Sequence, residues 1–133
     1  MINTTSQPIC LYDKDNRLVQ WYRPNNEHRF ALKVANNRVV ERHDNGIPVF
    51  SMPVLVGLAG KLPVDESVDL LVSPQVGQFI ATEHHQVDGR RERIADTMSA
   101  AGIRVYGLNL ATTEAVVDAS GRFLGSRSLV RYA

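Results

Sequence analysis

The chain has 133 residues, of which 44% are hydrophobic and 22% are charged, with 15 basic and 14 acidic side chains. Such a composition is typical of one folded domain with its own core and excludes a disordered chain. The formal net charge of +1 gives no indication of nucleic acid or an anionic membrane as a partner.

The amino-terminal residues 1–7 are polar and lack the apolar segment of a signal peptide, so we predict a disordered leader there. The longest apolar run, residues 47–62, is interrupted by prolines and glycines and is too short to cross a bilayer. The single cysteine, Cys10, excludes an internal disulfide, and its apolar neighbours indicate a core position. We therefore expect a cytoplasmic protein.

The first half of the chain predicts short strands joined by polar turns. Strands are predicted over residues 8–12, 18–22, 30–34 and 38–42. Residues 13–16 and 44–46 read as turns, and Asn36-Asn37 predicts a hairpin that joins the third strand to the fourth. Apolar residues at helical spacing after Pro53 predict a short helix.

The second half predicts a strand, a crossover helix and a second strand, which form a right-handed unit with parallel strands. The strands are residues 68–72 and 103–106, and the helix is residues 90–101. Between them lie a loop at 73–77 and a polar loop insert at 78–89. Ligands of open α/β sheets bind beyond the carboxyl ends of the strands, here at 73–77 and after Tyr106. Another helix is predicted at 113–120, and Leu129, Val130 and Tyr132 favour a final edge strand.

Several motifs in this order resemble the nitrogenase accessory-factor family, the small dinitrogenase iron–molybdenum cofactor biosynthesis proteins. They are Ile9-Cys10-Leu11-Tyr12-Asp13, the segment Phe30–Val34 with Val39-Val40-Glu41, Gln75-Val76-Gly77, and Ala101-Gly102-Ile103-Arg104-Val105-Tyr106. The length and the order of the predicted elements indicate a single α/β domain with a mixed sheet over residues 1–133. The resemblance implies that this domain has a ribonuclease-H-like fold with flanking helices. It also implies a non-catalytic carrier for an iron–sulfur or iron–molybdenum-type cluster or its precursor, with nitrogenase or cofactor-assembly proteins as partners.

The chain differs from that family in two places. Where the family often has a His-Phe-Gly triplet, this chain reads Trp21-Tyr22-Arg23-Pro24-Asn25, and the nearest imidazole is His28. The insert at 78–89 is the second difference, and its histidines are candidates for replacing the missing ligand.

The candidate cofactor-binding residues are Arg23, His28, Gln75, Gly77, His84 and His85, and the candidate metal ligands are His84 and His85. Imidazole is the commonest transition-metal ligand, and glycine allows a ligand to approach the backbone closely. The alternatives are a solvated histidine pair without metal, a solvated His28 and a plain turn at Gly77. Adjacent histidines on a strand point to opposite sides, so both bind one metal only from a loop.

Catalytic motifs are absent from the sequence: it has no nucleophile elbow, phosphate-binding loop or His-Glu-x-x-His. Asp13 and Asp69 lack an evident third carboxylate for a nuclease site. The alternative to a carrier is a regulatory or host-interaction domain that binds another protein through a sheet edge and residues 78–89. A weaker alternative is a hydrolase that uses Glu83 and His84.

Overall fold

The computed structural model describes residues 1–28, 31–34, 40–50, 55–59 and 67–133. In this part of the chain the protein is a single α/β domain with mixed sheets, fourteen strands and two helices. The strands are β1 (Ile2–Asn3), β2 (Ile9–Tyr12), β3 (Leu18–Tyr22), β4 (Ala31–Val34), β5 (Val40–Asp44), β6 (Ile47–Phe50), β7 (Leu55–Ala59), β8 (Asp69–Leu71), β9 (His84–Val87), β10 (Arg90–Arg93), β11 (Arg104–Leu108), β12 (Ala115–Val117), β13 (Phe123–Ser126) and β14 (Leu129–Arg131). The helices are α1 (Pro74–Thr82) and α2 (Ile94–Ala100).

The main sheet has the strand order β1-β8-β11-β14. Strands β1, β8 and β11 are parallel, with Leu70 of β8 opposite both Ile2 and Val105, and β14 is antiparallel to β11. The predicted parallel pairing of residues 68–72 with 103–106 is confirmed, as is the edge strand near the carboxyl terminus. The carboxyl ends of three neighbouring strands therefore meet at one edge of this sheet.

The core lies between the main sheet and the two helices. Its buried apolar side chains are Leu70, Val72, Val76, Ile80, Ala95, Met98, Ile103 and Val105. Leu70 and Leu71 are neighbours on β8 and are both fully buried, so this strand is covered on both faces. Burial of each large side chain contributes roughly 1.5–3 kcal/mol, which makes this cluster the main source of stability. No helix within the described ranges is both long enough and apolar enough to cross a membrane.

The prediction of a disordered leader over residues 1–7 is wrong. Ile2–Asn3 forms β1, and the side chains of Asn3 and Thr4 are almost fully buried. The Asn3 amide donates to the carbonyl oxygens of Gln7 and Tyr22, and its oxygen accepts from the Thr5 backbone. The polar side chains of this segment thus bind backbone groups of the segment itself and of β3 and β8 inside the protein, where the composition had indicated contact with water.

A second sheet has the order β12-β13-β2-β3. The strands predicted at 8–12 and 18–22 and the turn predicted at 13–16 are confirmed, and β2 and β3 pair as a hairpin around this turn, where Asn16 has a φ of 61°. The predicted helix at 113–120 is wrong, because Ala115–Val117 is β12 and pairs with β13. Val116 and Val117 are β-branched and favour a strand once β13 supplies a partner.

The strands of the middle segment pair differently from the prediction. Strand β4 is antiparallel to β7 and β5 is antiparallel to β6, so the hairpin predicted from 30–34 to 38–42 is wrong. Asn36-Asn37, on which that prediction depended, lies outside the described residues. The turn at 44–46 is confirmed, with Asn45 and Gly46 both at positive φ between β5 and β6. The helix predicted after Pro53 is wrong over Leu55–Ala59, which is β7.

Residues 73–93 are regular structure where loops were predicted. The predicted loop at 73–77 is the first turn of α1, and the predicted loop insert at 78–89 comprises the rest of α1 and most of a hairpin. Strand β10 occupies Arg90–Arg93, so the helix predicted from residue 90 starts at Ile94. Ser73-Pro74 is a helix-start signal, and Asp88-Gly89 forms a positive-φ turn between β9 and β10.

Candidate functional site

A cavity of about 870 Å³ lies at the carboxyl edge of the main sheet. Val72 and Ser73, directly after β8, and Leu108, at the end of β11, line one side. Residues of the second sheet line the other, among them Ile9 of β2 and Phe123 of β13. We call this cavity the edge pocket. Its position is the one that the general rule for open α/β sheets gives to ligands, and its volume lies in the range of small-molecule sites.

The wall of the edge pocket is mainly apolar. Ile9 and Val72 are buried beneath it, whereas Leu110, Phe123 and Leu124 at its mouth remain 51%, 45% and 40% exposed. Large apolar side chains left in contact with water around a cavity are typical of a binding surface. A ligand with an apolar part would remove this surface from water.

The polar groups of the edge pocket lie at distinct places in its wall. They are the side chains of Thr5, Ser6, Gln7, Cys10, Ser73 and Arg122. Ser73 is the N-cap of α1, since its Oγ accepts from the Val76 backbone N–H at 3.3 Å. The first turn of α1 carries no acidic residue, so the positive end of the helix dipole at the pocket is not neutralised by its own side chains.

Arg122 reaches the edge pocket from the turn between β12 and β13. The Asp118 carboxylate fixes this turn, because it accepts hydrogen bonds from the Ser120 hydroxyl at 2.7 Å and the Arg122 backbone N–H at 2.9 Å. The Ser120 hydroxyl, followed by the Arg122 N–H, holds the pKa of Asp118 below its usual value. Gly121 completes the turn at a φ of +84°. The Arg122 guanidinium forms no ion pair with any described residue.

The part of the pocket wall that follows β1 is held by hydrogen bonds of buried and half-buried side chains. The Thr4 hydroxyl donates to the Leu71 carbonyl at 2.7 Å, and the Thr5 hydroxyl donates to the Asn3 side-chain oxygen at 2.7 Å. Residues Thr5, Ser6 and Gln7 of the pocket wall are therefore placed by a structured segment.

Two predicted site residues, Gln75 and Gly77, lie in the first turn of α1 but do not line the edge pocket. Gly77 is buried because the Tyr132 ring packs directly against it. A Cβ built at Gly77 would lie 2.3 Å from Cε2 of that ring. The glycine is thus explained by close packing of the carboxyl-terminal segment on α1.

The predicted metal ligands, His84 and His85, are neighbours on strand β9. His84 is exposed and pairs in register with Arg93, whereas the His85 Nε2 lies 2.6 Å from the Thr97 hydroxyl oxygen of α2. Because neighbouring side chains on a strand point to opposite sides, this geometry does not bring the two imidazoles to one ion.

The remaining predicted residues, Arg23 and His28, follow β3. The Arg23 guanidinium lies over the Trp21 ring at 5.1 Å, and the His28 backbone N–H donates to the Asn25 side chain. The six predicted residues are therefore spread over α1, β9 and the segment after β3. Among the described residues there is no group of three or more His, Cys, Asp or Glu side chains that could hold a metal ion.

Cys10 and Arg122 line the pocket, although neither is among the site residues predicted from the sequence. Alternation with Ile9 and Leu11 indicated a buried cysteine, but Cys10 is only half-buried and is among the residues that line the cavity. Cys10 belongs to the second sheet, and Arg122 lies in the turn between two of its strands. The position of this sheet beside the main sheet has no local signal in the sequence.

Comparison with known proteins supplies no family. No protein-family model, no curated protein and no solved structure matches the chain. Function is therefore inferred from the edge pocket itself.

Proposed function

We propose that this protein is a non-catalytic carrier that holds a small anionic cargo in the edge pocket. The observation that carries this proposal is the pocket itself, a cavity of about 870 Å³ at the carboxyl ends of parallel strands. Its side-chain charge, among the described residues, comes from Arg122, and α1 begins in its wall. Both features favour a negatively charged group.

The composition of the wall favours binding over catalysis. General acid–base chemistry uses carboxylates or imidazoles within hydrogen-bond reach of the substrate. The described side chains that line the pocket include neither type, and Cys10 has no lining histidine to act as its base.

The resemblance noted above implies an iron–sulfur-containing metallocofactor, or its precursor, as the cargo, and a ribonuclease-H-like fold to hold it. The adjacent parallel strands β1, β8 and β11 are compatible with that fold, whereas the β2–β3 hairpin belongs to the second sheet. Thiolates are the usual protein ligands of iron–sulfur clusters, and Cys10 is the lining residue that supplies one. A cluster bound through Cys10 would have its remaining coordination positions filled by ligands that are not part of this protein. Nitrogenase or a cofactor-assembly protein would receive it.

The carrier proposal is tested by titrating the whole chain with 8-anilinonaphthalene-1-sulfonate, a fluorescent aromatic anion. We expect saturable binding with one site per chain. Leu110→Glu places a negative charge at the pocket and should weaken binding of the probe at least about tenfold. The substitution removes an apolar contact with the probe and repels its sulfonate group. Ile47→Glu is the matched control, because Ile47 lies on the separate β5–β6 hairpin, is 67% exposed and does not line the pocket. Equal weakening by both variants, or no saturable binding, would refute the proposal.

The metallocofactor version has its own test, anaerobic loading with a preassembled iron–sulfur cluster followed by visible absorption. Cys10→Ser should abolish loading, and the double variant His84→Ala/His85→Ala should load normally because these histidines lie away from the pocket. Loss of loading in the histidine variant with normal loading in Cys10→Ser would place the cluster on the β9–β10 hairpin and outside the edge pocket.

A further inference from the structure

We infer that the cargo of the edge pocket is an organic monoanion with an apolar body, of the kind represented by a medium-chain carboxylate. This inference rests on the carrier function proposed above and specifies the chemical class of its ligand. It is drawn from the kinds of side chain in the pocket wall and from the charge they carry.

The apolar part of the wall comes from both sheets and from the segment after β11. Val72 follows β8 and Leu108 ends β11, and Leu110, Phe123 and Leu124 are its exposed members. The last three are substantially exposed, although Ile9 and Val72 just below them are buried. An alkyl or aryl body in this position would cover the exposed side chains. A purely hydrophilic anion would leave them in water and would lose its own hydration against the apolar wall.

The charge of the wall limits the charge of the ligand. Arg122 is the charged residue among the described lining side chains, and it forms no ion pair with another described residue. A guanidinium binds one carboxylate through two parallel hydrogen bonds, which matches a single negative group. A polyanion would bring further charges, and the described residues of the wall offer no second cationic side chain for them.

A multiply charged cluster is therefore a poorer match than a carboxylate with an apolar tail. Cys10 alone offers a soft ligand in the described wall, and the wall holds no imidazole or carboxylate to complete a coordination sphere. Thr5, Ser6 and Gln7 offer hydroxyl and amide groups, which suit hydrogen bonds to an oxygen-bearing ligand.

The test uses octanoate, 1-octanol, butanoate and citrate as competitors of the fluorescent anion on the whole chain. Octanoate should displace the probe, and butanoate should be at least about tenfold weaker because it lacks most of the apolar body. Octanol should be weaker than octanoate by about tenfold, the effect of one charge-assisted contact. Citrate, a trianion without an apolar part, should not compete.

Arg122→Gln should weaken octanoate about tenfold and leave octanol unchanged, since only the carboxylate uses the guanidinium. Arg91→Gln is the matched control, because Arg91 is exposed on the β9–β10 hairpin and does not line the pocket. If the probe binds saturably but citrate competes better than octanoate, or Arg122→Gln weakens octanol as much as octanoate, the inference is wrong and the carrier proposal stands. If no anion binds saturably, the carrier proposal fails and the inference fails with it.

Discussion

The contact between Gly77 and Tyr132 predicts that Gly77→Ala destabilises the protein when the Tyr132 ring is present and stabilises it when the ring is removed. Gly77 lies inside α1, where an alanine would ordinarily stabilise the helix by about 1 kcal/mol. In this protein an added Cβ would lie 2.3 Å from Cε2 and 2.4 Å from Cδ2 of the Tyr132 ring. The ring cannot move freely, because Gly107 of β11 packs against it as well.

Overpacking of this kind costs roughly 1–3 kcal/mol, and a contact this short belongs near the upper end of that range. We therefore expect Gly77→Ala to lower the free energy of unfolding by about 2 kcal/mol, despite the gain in helix propensity. In a Tyr132→Ala background the ring is absent, and the same substitution should raise the free energy of unfolding by about 0.5–1 kcal/mol.

Urea denaturation of the four proteins in this double-mutant cycle measures the coupling directly. Gly107→Ala is the matched control, because its added Cβ would lie 3.1 Å from the Val72 carbonyl oxygen as well as 2.8 Å from the ring. It should therefore remain destabilising after Tyr132 is removed. If Gly77→Ala is neutral or stabilising in the parent protein, the close packing of Tyr132 on α1 is wrong.

Three further substitutions test separate parts of the fold. Tyr132→Phe should reduce the loss of stability above about pH 10, because burial raises the pKa of the Tyr132 hydroxyl in the folded protein. The protonated hydroxyl contributes its full stabilisation below its ordinary pKa and loses it as the pH rises through the raised pKa of the folded state, which urea titrations across that range measure. Asn3→Ala should lower the free energy of unfolding by about 2 kcal/mol, since buried carbonyl groups lose their donor, and an effect below about 0.5 kcal/mol in urea denaturation would contradict the burial of this segment. Asp118→Asn should remove stability that the parent has above about pH 4 and loses as pH falls through the lowered pKa of Asp118, so in thermal melts the stability difference between the two proteins should shrink as the pH is lowered.

The sequence by itself determined the α/β class, the parallel pair β8–β11, and the strands β2 and β3 with the turn between them. Each has a strong local signal: two apolar runs long enough to be buried strands, or two β-rich segments around a turn rich in Asp and Asn. The edge of the sheet that carries the pocket also followed from the order of these elements, because parallel strands bring their carboxyl ends together.

Only the tertiary structure decided which segments pair and which residues meet in the pocket. Residues 1–7 are polar, yet Asn3 is buried because its amide group satisfies the carbonyls of Gln7 and Tyr22. Residues 115–117 are a strand because β13 lies beside them. Cys10 and Arg122 are 112 positions apart and line the same cavity because the second sheet is folded against the carboxyl edge of the first. The spacing of apolar residues indicates which face of one segment is buried. A site that is assembled from two sheets depends on long-range packing, which the sequence of any single segment does not indicate.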